Sequence, residues 1–212
     1  MQTRFARISV VSAGAVLLLS STAFAHHAEW MHDRPLVQGL SMPVHGVDHL
    51  LVAFAVGLFA ARLGGVAAWA VPAIFGVFLW IGGLLNAHGV AVPWIEPAIL
   101  GSSLLLGAVL VARRTLSLGA GLVIAAALAI VQGSALITAP GNAVPRSTIA
   151  WFSLGCALSA SAVIGLGVAT GALLPRAERK AALRYAGAAV AAVAIVAYAV
   201  PGVNDAIIRL LE

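Results

Sequence analysis

Apolar residues form long runs along this chain, and few polar residues separate them. Six such runs follow the first 44 residues, near 45–62, 66–86, 95–112, 115–138, 148–174 and 183–201. Each run approaches or exceeds the roughly 20 residues that a helix needs to cross the hydrocarbon core of a bilayer. Backbone polar groups in lipid must hydrogen-bond within their own segment, so the runs predict helices. The pattern predicts an all-α integral membrane protein with six transmembrane helices over 45–201 and a short tail at 202–212.

The first 25 residues have the pattern of a secretory signal peptide. Arg4 and Arg7 precede a short apolar stretch, and Ala23-Phe24-Ala25 fits the small-x-small cleavage site. Cleavage after Ala25 leaves a segment at 26–44 on the outer side of the membrane. An uncleaved signal anchor is the alternative, although the apolar stretch is short for a span.

The distribution of basic residues predicts the orientation of the six helices. Connections that face the cytoplasm after a cleaved signal hold seven basic residues, whereas the outer segments hold three. The inner group is Arg62, Arg113, Arg114, Arg176, Arg179, Lys180 and Arg184, and the outer group is Arg34, Arg146 and Arg209. Since positive charge accumulates on the cytoplasmic side, we expect a bacterial inner-membrane protein with both mature termini in the periplasm.

Composition supports lipid as the main surroundings of the chain. Hydrophobic residues make up 62% of it and charged residues only 9%, too few for the surface of a soluble domain. The net charge of +5 lies on dispersed residues rather than on one basic patch, which argues against a nucleic-acid partner. The single cysteine, Cys156, can form no disulfide within the chain.

The sharpest group of chemically active residues opens the first predicted span. His45, Asp48 and His49 are spaced to share one face of a continuous helix. Imidazole suits nickel, cobalt, zinc and copper, and a carboxylate offsets the charge of a desolvated cation. Ionisable groups at membrane depth usually serve function. The sequence therefore predicts a metal site here, with helix capping by Asp48 and headgroup contacts of the histidines as the alternative.

Polar residues on later helices extend this site into a predicted transport path. His88 ends the second span, Glu96 begins the third, and Gln132 lies within the fourth. Glu96 could equally be an acidic first-turn residue favoured by the helix dipole. Gln132, with Ser134 and Thr138, forms a polar stripe that could also join helices by hydrogen bonds.

The segment after the signal peptide is rich in metal-binding side chains. His26, His27 and His32 form a short histidine-rich tract that suggests capture of a metal ion, with a solvated tail as the equal alternative. Serine-nucleophile, phosphate-loop and H-E-x-x-H motifs are lacking in the sequence, so we expect neither an enzyme nor an ATP-driven pump, and no resident cofactor.

Small residues recur at helical spacing on two of the predicted spans. Gly57 and Ala61 lie one turn apart on the first, and Gly167 and Gly171 lie one turn apart on the fifth. Such small-xxx-small pairs allow two helix backbones to approach closely. We expect them to mark tight helix packing.

Several motifs resemble the HupE/UreJ family of small membrane proteins, associated with nickel or cobalt uptake for hydrogenase and urease. The matching stretches are Gly46-Val-Asp48-His49-Leu-Leu, Ala55-Val-Gly57-Leu, Val71-Pro-Ala-Ile-Phe75, Gly82-Gly83 and Val92-Pro-Trp-Ile-Glu96 running into Ser102-Ser103-Leu-Leu-Leu-Gly107. The resemblance covers most of 39–200 and is more specific in the first half. It implies a secondary permease for a divalent metal ion that supplies metalloenzyme maturation proteins.

The chain departs from the family's pattern at two ligand positions. Met42-Pro43 stands where the family has His-Pro, and His45 follows three residues later. Gln132-Gly133 stands where the family has His-Gly. We therefore expect His45 to take over the role of the earlier histidine, and a non-transporting accessory protein for hydrogenase or urease assembly stays as the alternative.

Overall fold

The computed structural model describes residues 34–45, 47–90, 92–112, 116–138 and 144–199. Within these ranges the regular structure consists of α-helices. They are α1 (Pro35–His45), α2 (Val47–Leu63), α3 (Ala67–Ala87), α4 (Ile95–Val111), α5 (Leu118–Thr138), α6 (Ile149–Leu173) and α7 (Arg176–Ala199). The predicted signal peptide and histidine-rich tract lie outside the described residues.

The predicted apolar runs correspond one to one to the helices α2 to α7. Three of the described helices, α3, α5 and α6, are long and apolar enough to cross a membrane. Two shorter apolar stretches, His49–Leu63 and Pro97–Val111, lie in α2 and α4. The chain is thus a helical protein with membrane-spanning character, and the total of six spans stays a prediction.

The first helix, α1, was not expected from the sequence. The described part of the predicted periplasmic segment is helical and includes Met42, although the residue before a proline generally favours an extended backbone. Contact with α6 explains the helix. A methyl group added to Gly39 would collide with the Phe152 carbonyl, and one added to Gly155 would collide with the Leu36 carbonyl. The two backbones therefore touch where these glycines cross.

Two parallel helix pairs are locked together by glycines. In the pair α2 and α6, a methyl group on Gly167 would lie 3.0 Å from the Cα of Gly57, and one on Gly171 would lie 2.5 Å from the Cβ of Ala61. The small-xxx-small packing expected for these two helices is therefore confirmed. A second pair, α3 and α5, is joined in the same way by Gly82 and Gly133, as described below.

Contacts between helices define two ends of the bundle. The His49 end contains the start of α2 and the end of α5, which meet through His49 and Gln132. The two helices run antiparallel, because Gly121 near the start of α5 lies against Leu63 at the end of α2. The Arg62 end contains the last turn of α2 and the last turn of α4. Two left-handed glycines at that end, Gly64 and Gly65, terminate α2 and turn the chain into α3.

The Arg62 guanidinium caps the carboxyl end of α4. Its Nη1 donates to the Val109 carbonyl oxygen at 2.7 Å and to that of Leu110 at 3.2 Å, and its Nη2 donates to the Ala112 carbonyl oxygen at 2.6 Å. Carbonyls in the last turn of a helix lack partners within the helix, and a cation there also complements the helix dipole. Arg62 thereby ties the ends of α2 and α4 together.

Replacing Arg62 should loosen this end of the bundle. For Arg62→Gln we expect a loss of about 2 kcal/mol in the free energy of unfolding, because charge-assisted hydrogen bonds to three carbonyls are removed. Arg62→Lys should lose roughly half as much, since an ammonium keeps the charge but lacks the planar fork. Denaturation in detergent micelles measures both, and equal stability of Arg62→Gln and the wild type would contradict the capping role.

Candidate functional site

His49 joins two helices that are distant in the sequence. It lies in the first turn of α2, is half-buried, and its Nδ1 forms a hydrogen bond with Oε1 of Gln132 on α5. Of the predicted site residues, these two are the ones that the structure brings into direct contact. The contact lies in the half of the bundle nearest the His49 end, between apolar faces of α2 and α5.

The hydrogen bond to Gln132 determines which ring nitrogen of His49 carries the hydrogen atom. An amide oxygen can only accept, so the Nδ1 of His49 carries the proton in this hydrogen bond. In the neutral ring the lone pair then resides on Nε2, which is the atom that can bind a metal ion. Hydrogen bonds of this kind to the second ring nitrogen orient metal-binding histidines in general.

A buried hydrogen-bond donor remains on Gln132 itself. The side chain is 3% exposed, and its Nε2 has no hydrogen-bond partner among the described residues. Burying an amide group without a partner costs on the order of 1–3 kcal/mol. Such an expense in an apolar bundle indicates that the position serves more than packing.

Asn86 and Ser134 form a second polar contact at the same end. Asn86 at the end of α3 donates from Nδ2 to the Ser134 hydroxyl at 2.7 Å and to the Ser134 carbonyl at 3.2 Å. Asn86 therefore joins α3 to α5, much as Gln132 joins α5 to α2. Interhelical hydrogen bonds of this kind are typical of membrane bundles.

The predicted polar stripe on α5 is divided between different partners. Gln132 bonds to α2 and Ser134 bonds to α3, because residues two apart on a helix point in different directions. Thr138 is exposed, and its hydroxyl donates to carbonyls of its own helix, 3.2 Å from Ser134 and 3.1 Å from Ala135. The three side chains therefore do not form one continuous path.

Ser153 is a buried polar residue that the sequence did not reveal. Its side chain is 2% exposed, and its hydroxyl has no hydrogen-bond partner among the described residues. It faces Gly83 of α3, where a methyl group would lie 2.6 Å from the hydroxyl oxygen. A lone serine in an apolar run is a weak signal, and only the packing of α6 on α3 shows that it is enclosed.

The structure describes the other predicted ligands only in part. His45 is the last residue of α1, whereas Asp48 and His49 belong to α2, so the shared face expected from one continuous helix stays a prediction for His45. The side chains of His45, Asp48 and Glu96 lie outside the described residues, as do His26, His27 and His32. His88, just after α3, is exposed.

No group of three or more metal-binding side chains is found among the described residues. What the described site offers is one imidazole held by a buried amide, with further polar groups on α3 and α6. This arrangement can orient a single nitrogen ligand. It has no described carboxylate, so charge compensation would have to come from Asp48.

Comparisons with known proteins place the chain in a family. Residues 14–197 match the family model described as HupE / UreJ protein. A segment of 79 residues is 42% identical to Protein HupE from Rhizobium leguminosarum bv. viciae, and it covers 37% of this chain and 40% of that relative. No solved structure matches the chain. Since the family model covers most of the sequence, the chain belongs to the HupE/UreJ family.

Proposed function

We propose that the protein is a secondary permease for a divalent transition-metal cation, with nickel or cobalt as the ion. It would span the bacterial inner membrane with six helices, α2 to α7, after removal of the signal peptide. The observation that carries the proposal is the orientation of His49 by the buried Gln132 amide between α2 and α5. Membership in the HupE/UreJ family fits a role in supplying a hydrogenase or a urease.

Energetic cost supports a functional role for the pair. The Gln132 amide donor and the Ser153 hydroxyl are both buried without a partner among the described residues, in helices whose other buried side chains are mostly apolar. An apolar residue at either position would avoid this cost. Polar groups that persist inside a membrane protein commonly line a route for ions or polar substrates.

Asp48 would complete the site. It directly precedes His49 on α2, and its carboxylate would offset part of the charge of an entering divalent cation. Together with His45 it would form the mouth, with His88 and Glu96 nearby and the histidines of the amino-terminal tract collecting ions outside. Moving a divalent ion inward across about 100 mV releases roughly 4–5 kcal/mol, so the membrane potential could drive entry without ATP.

Uptake of radioactive nickel tests the proposal directly. Cells that lack other nickel importers should accumulate the ion when they produce this protein, and competition with cobalt should show whether both ions share the route. Asp48→Asn keeps the shape of the side chain but removes its charge, so it should abolish most uptake. If accumulation did not exceed that of cells with the empty vector, the permease proposal would be rejected, and the non-transporting accessory role would remain.

Topology can be tested independently of transport. If both mature termini face the periplasm, alkaline phosphatase fused after Glu212 should be active, because the enzyme folds only outside the reducing cytoplasm. Fusion after Arg114 should be inactive, because this connection carries positive charge and is placed inside. Activities of the opposite sense would overturn the six-span orientation.

A further inference from the structure

The contact between α4 and α7 is reciprocal. A methyl group on Gly107 would lie 2.8 Å from the carbonyl oxygen of Gly187, and one on Gly187 would lie 2.8 Å from the carbonyl oxygen of Gly107. The neighbouring contacts match as well. A methyl group on Gly107 would also lie 3.0 Å from the Cβ of Ala191, and one on Gly187 would lie 3.3 Å from the Cγ2 of Val111. Each helix therefore contributes the equivalent residues to this contact, as a two-fold axis between the helices requires.

The two parallel pairs repeat each other's contacts. A methyl group on Gly57 of α2 would collide with the Ile164 carbonyl of α6, and one on Gly133 of α5 would collide with the Leu79 carbonyl of α3. In this comparison α5 corresponds to α2, and α3 corresponds to α6. In both pairs, a glycine of one helix therefore packs against a backbone carbonyl of the other at corresponding positions.

The reverse contacts obey the same correspondence. Gly167 of α6 meets the Phe54 carbonyl of α2, and Gly82 of α3 meets the Ile130 carbonyl of α5. The sequence distance from Phe54 to Ile130 equals that from Gly57 to Gly133. The distance from Gly82 to Gly167 likewise equals that from Leu79 to Ile164.

A fourth contact lies where this two-fold axis would pass. Gly76 of α3 packs against the hydroxyl of Ser161 on α6, and these residues have the same sequence separation as Gly82 and Gly167. A residue that touches its own counterpart marks the axis. Because α2 and α5 are antiparallel, the related halves run through the membrane in opposite directions.

We infer that α2–α4 and α5–α7 are inverted repeats and that Val56 and Ala125 line the half of the ion route nearest the Arg62 end. The correspondence that links Gly57 to Gly133 also links Val56 to Gln132 and His49 to Ala125. The pair Val56 and Ala125 is therefore the counterpart of His49 and Gln132 across the axis. This inference rests on the proposed function for its ion route, although the repeats themselves do not.

The two ends of the route differ in polarity. Val56 and Ala125 are 0% and 1% exposed, so the positions that correspond to Gln132 and His49 are held by two buried apolar side chains. The Asn86–Ser134 hydrogen bond likewise has an apolar counterpart, in which Leu58 packs against Gly171. The Arg62 cap reinforces closure at the same end.

Inverted repeats let a transporter open alternately to the two sides by rocking one half against the other. Here the moving bodies would be the glycine-locked pairs, α2 with α6 and α3 with α5. The interface between these bodies contains His49 and Gln132 near one end, and Val56 and Ala125 nearer the other. Rocking would then expose the apolar pair to water at the Arg62 end, while contacts inside each locked pair stay dry.

Thiol labelling in membrane vesicles tests this movement. Cys156, the single cysteine, is first replaced by alanine, and Val56→Cys and Ala125→Cys are each introduced into the full chain. A membrane-impermeant maleimide is then applied to the face nearest Arg62. The matched control is Leu58→Cys, which is buried on the same helix, closer to that face, but inside the α2–α6 contact.

Both test cysteines should react about ten times faster than the control, as expected when a minor open state is populated at a few per cent. Failure of both to react, or equal reaction of Leu58→Cys, would overturn the inference, because the latter shows general loosening. The two test sites are independent, so one misfolded variant does not decide the outcome. Labelling needs no metal, so the expected pattern without nickel uptake would reject the permease and retain the repeats.

Discussion

His49→Ala is expected to abolish nearly all metal uptake while the protein still folds and inserts. The side chain supplies the one described imidazole of the site, and the alanine variant loses that ligand together with the hydrogen bond to Gln132. Gln132→Leu should have a smaller effect, about 10- to 100-fold in apparent affinity, because it removes only the group that orients the ring. Initial uptake rates over a range of nickel concentrations separate the two effects.

The concentration dependence of uptake distinguishes positioning from direct binding. If Gln132 acts only by orienting His49, uptake by Gln132→Leu should recover at high nickel concentration, whereas uptake by His49→Ala should not. Thr138→Val is the matched control, since it removes an exposed hydroxyl of α5 that bonds only to its own helix in the described contacts. Wild-type uptake by His49→Ala would leave the residue with a packing role and remove the central support of the permease.

Gly167→Ala should have the largest effect on stability. The added methyl group would collide with the Phe54 carbonyl and crowd Leu58, and neither backbone can move without separating α2 from α6. Overpacking of this kind costs about 1–3 kcal/mol, and a forced separation of two helices lies at the upper end. We expect little folded protein in the membrane and a lower midpoint of thermal denaturation in detergent.

Gly165 provides the matched comparison on the same helix. A methyl group there meets nothing within 4 Å, so Gly165→Ala adds helix propensity without a collision. It should be at least as stable as the wild type. If both alanine variants behaved alike, the tight crossing of α2 and α6 would be refuted, since only one of the two positions lies within it.

Helix positions could be predicted well because the length of an apolar run needed to cross a bilayer is fixed by the thickness of its hydrocarbon core. The predicted run at 66–86 corresponds to α3 at Ala67–Ala87, and the run at 115–138 to α5 at Leu118–Thr138. Tight packing at Gly57 and Ala61 on α2, and at Gly167 and Gly171 on α6, was also predictable, because small residues one turn apart leave a groove that another helix backbone can fill. In both cases the signal is local in the sequence.

Partner choice was not predictable, because it depends on which helices become neighbours. Nothing local to Gln132 indicates that its amide reaches His49, or that Arg62 caps a helix that ends 49 residues later at Val111. The helix α1 was missed for a similar reason. Its stability comes from the Gly39–Gly155 crossing, and a short segment before the first apolar run shows no such partner in its own pattern.

The order in which these helices meet has a consequence for biogenesis. During synthesis α2 leaves the ribosome long before α6, and α1 must also await α6. Contacts between distant segments form late, because the intervening chain must first be made and closed into a loop. The early helices therefore sit in lipid, or beside an insertase, with glycine grooves still unfilled. A ribosome stalled before residue 149 would leave α1 and α2 without α6 and their glycine contacts with it unmade, so we expect such a truncated chain to be degraded by membrane quality-control proteases.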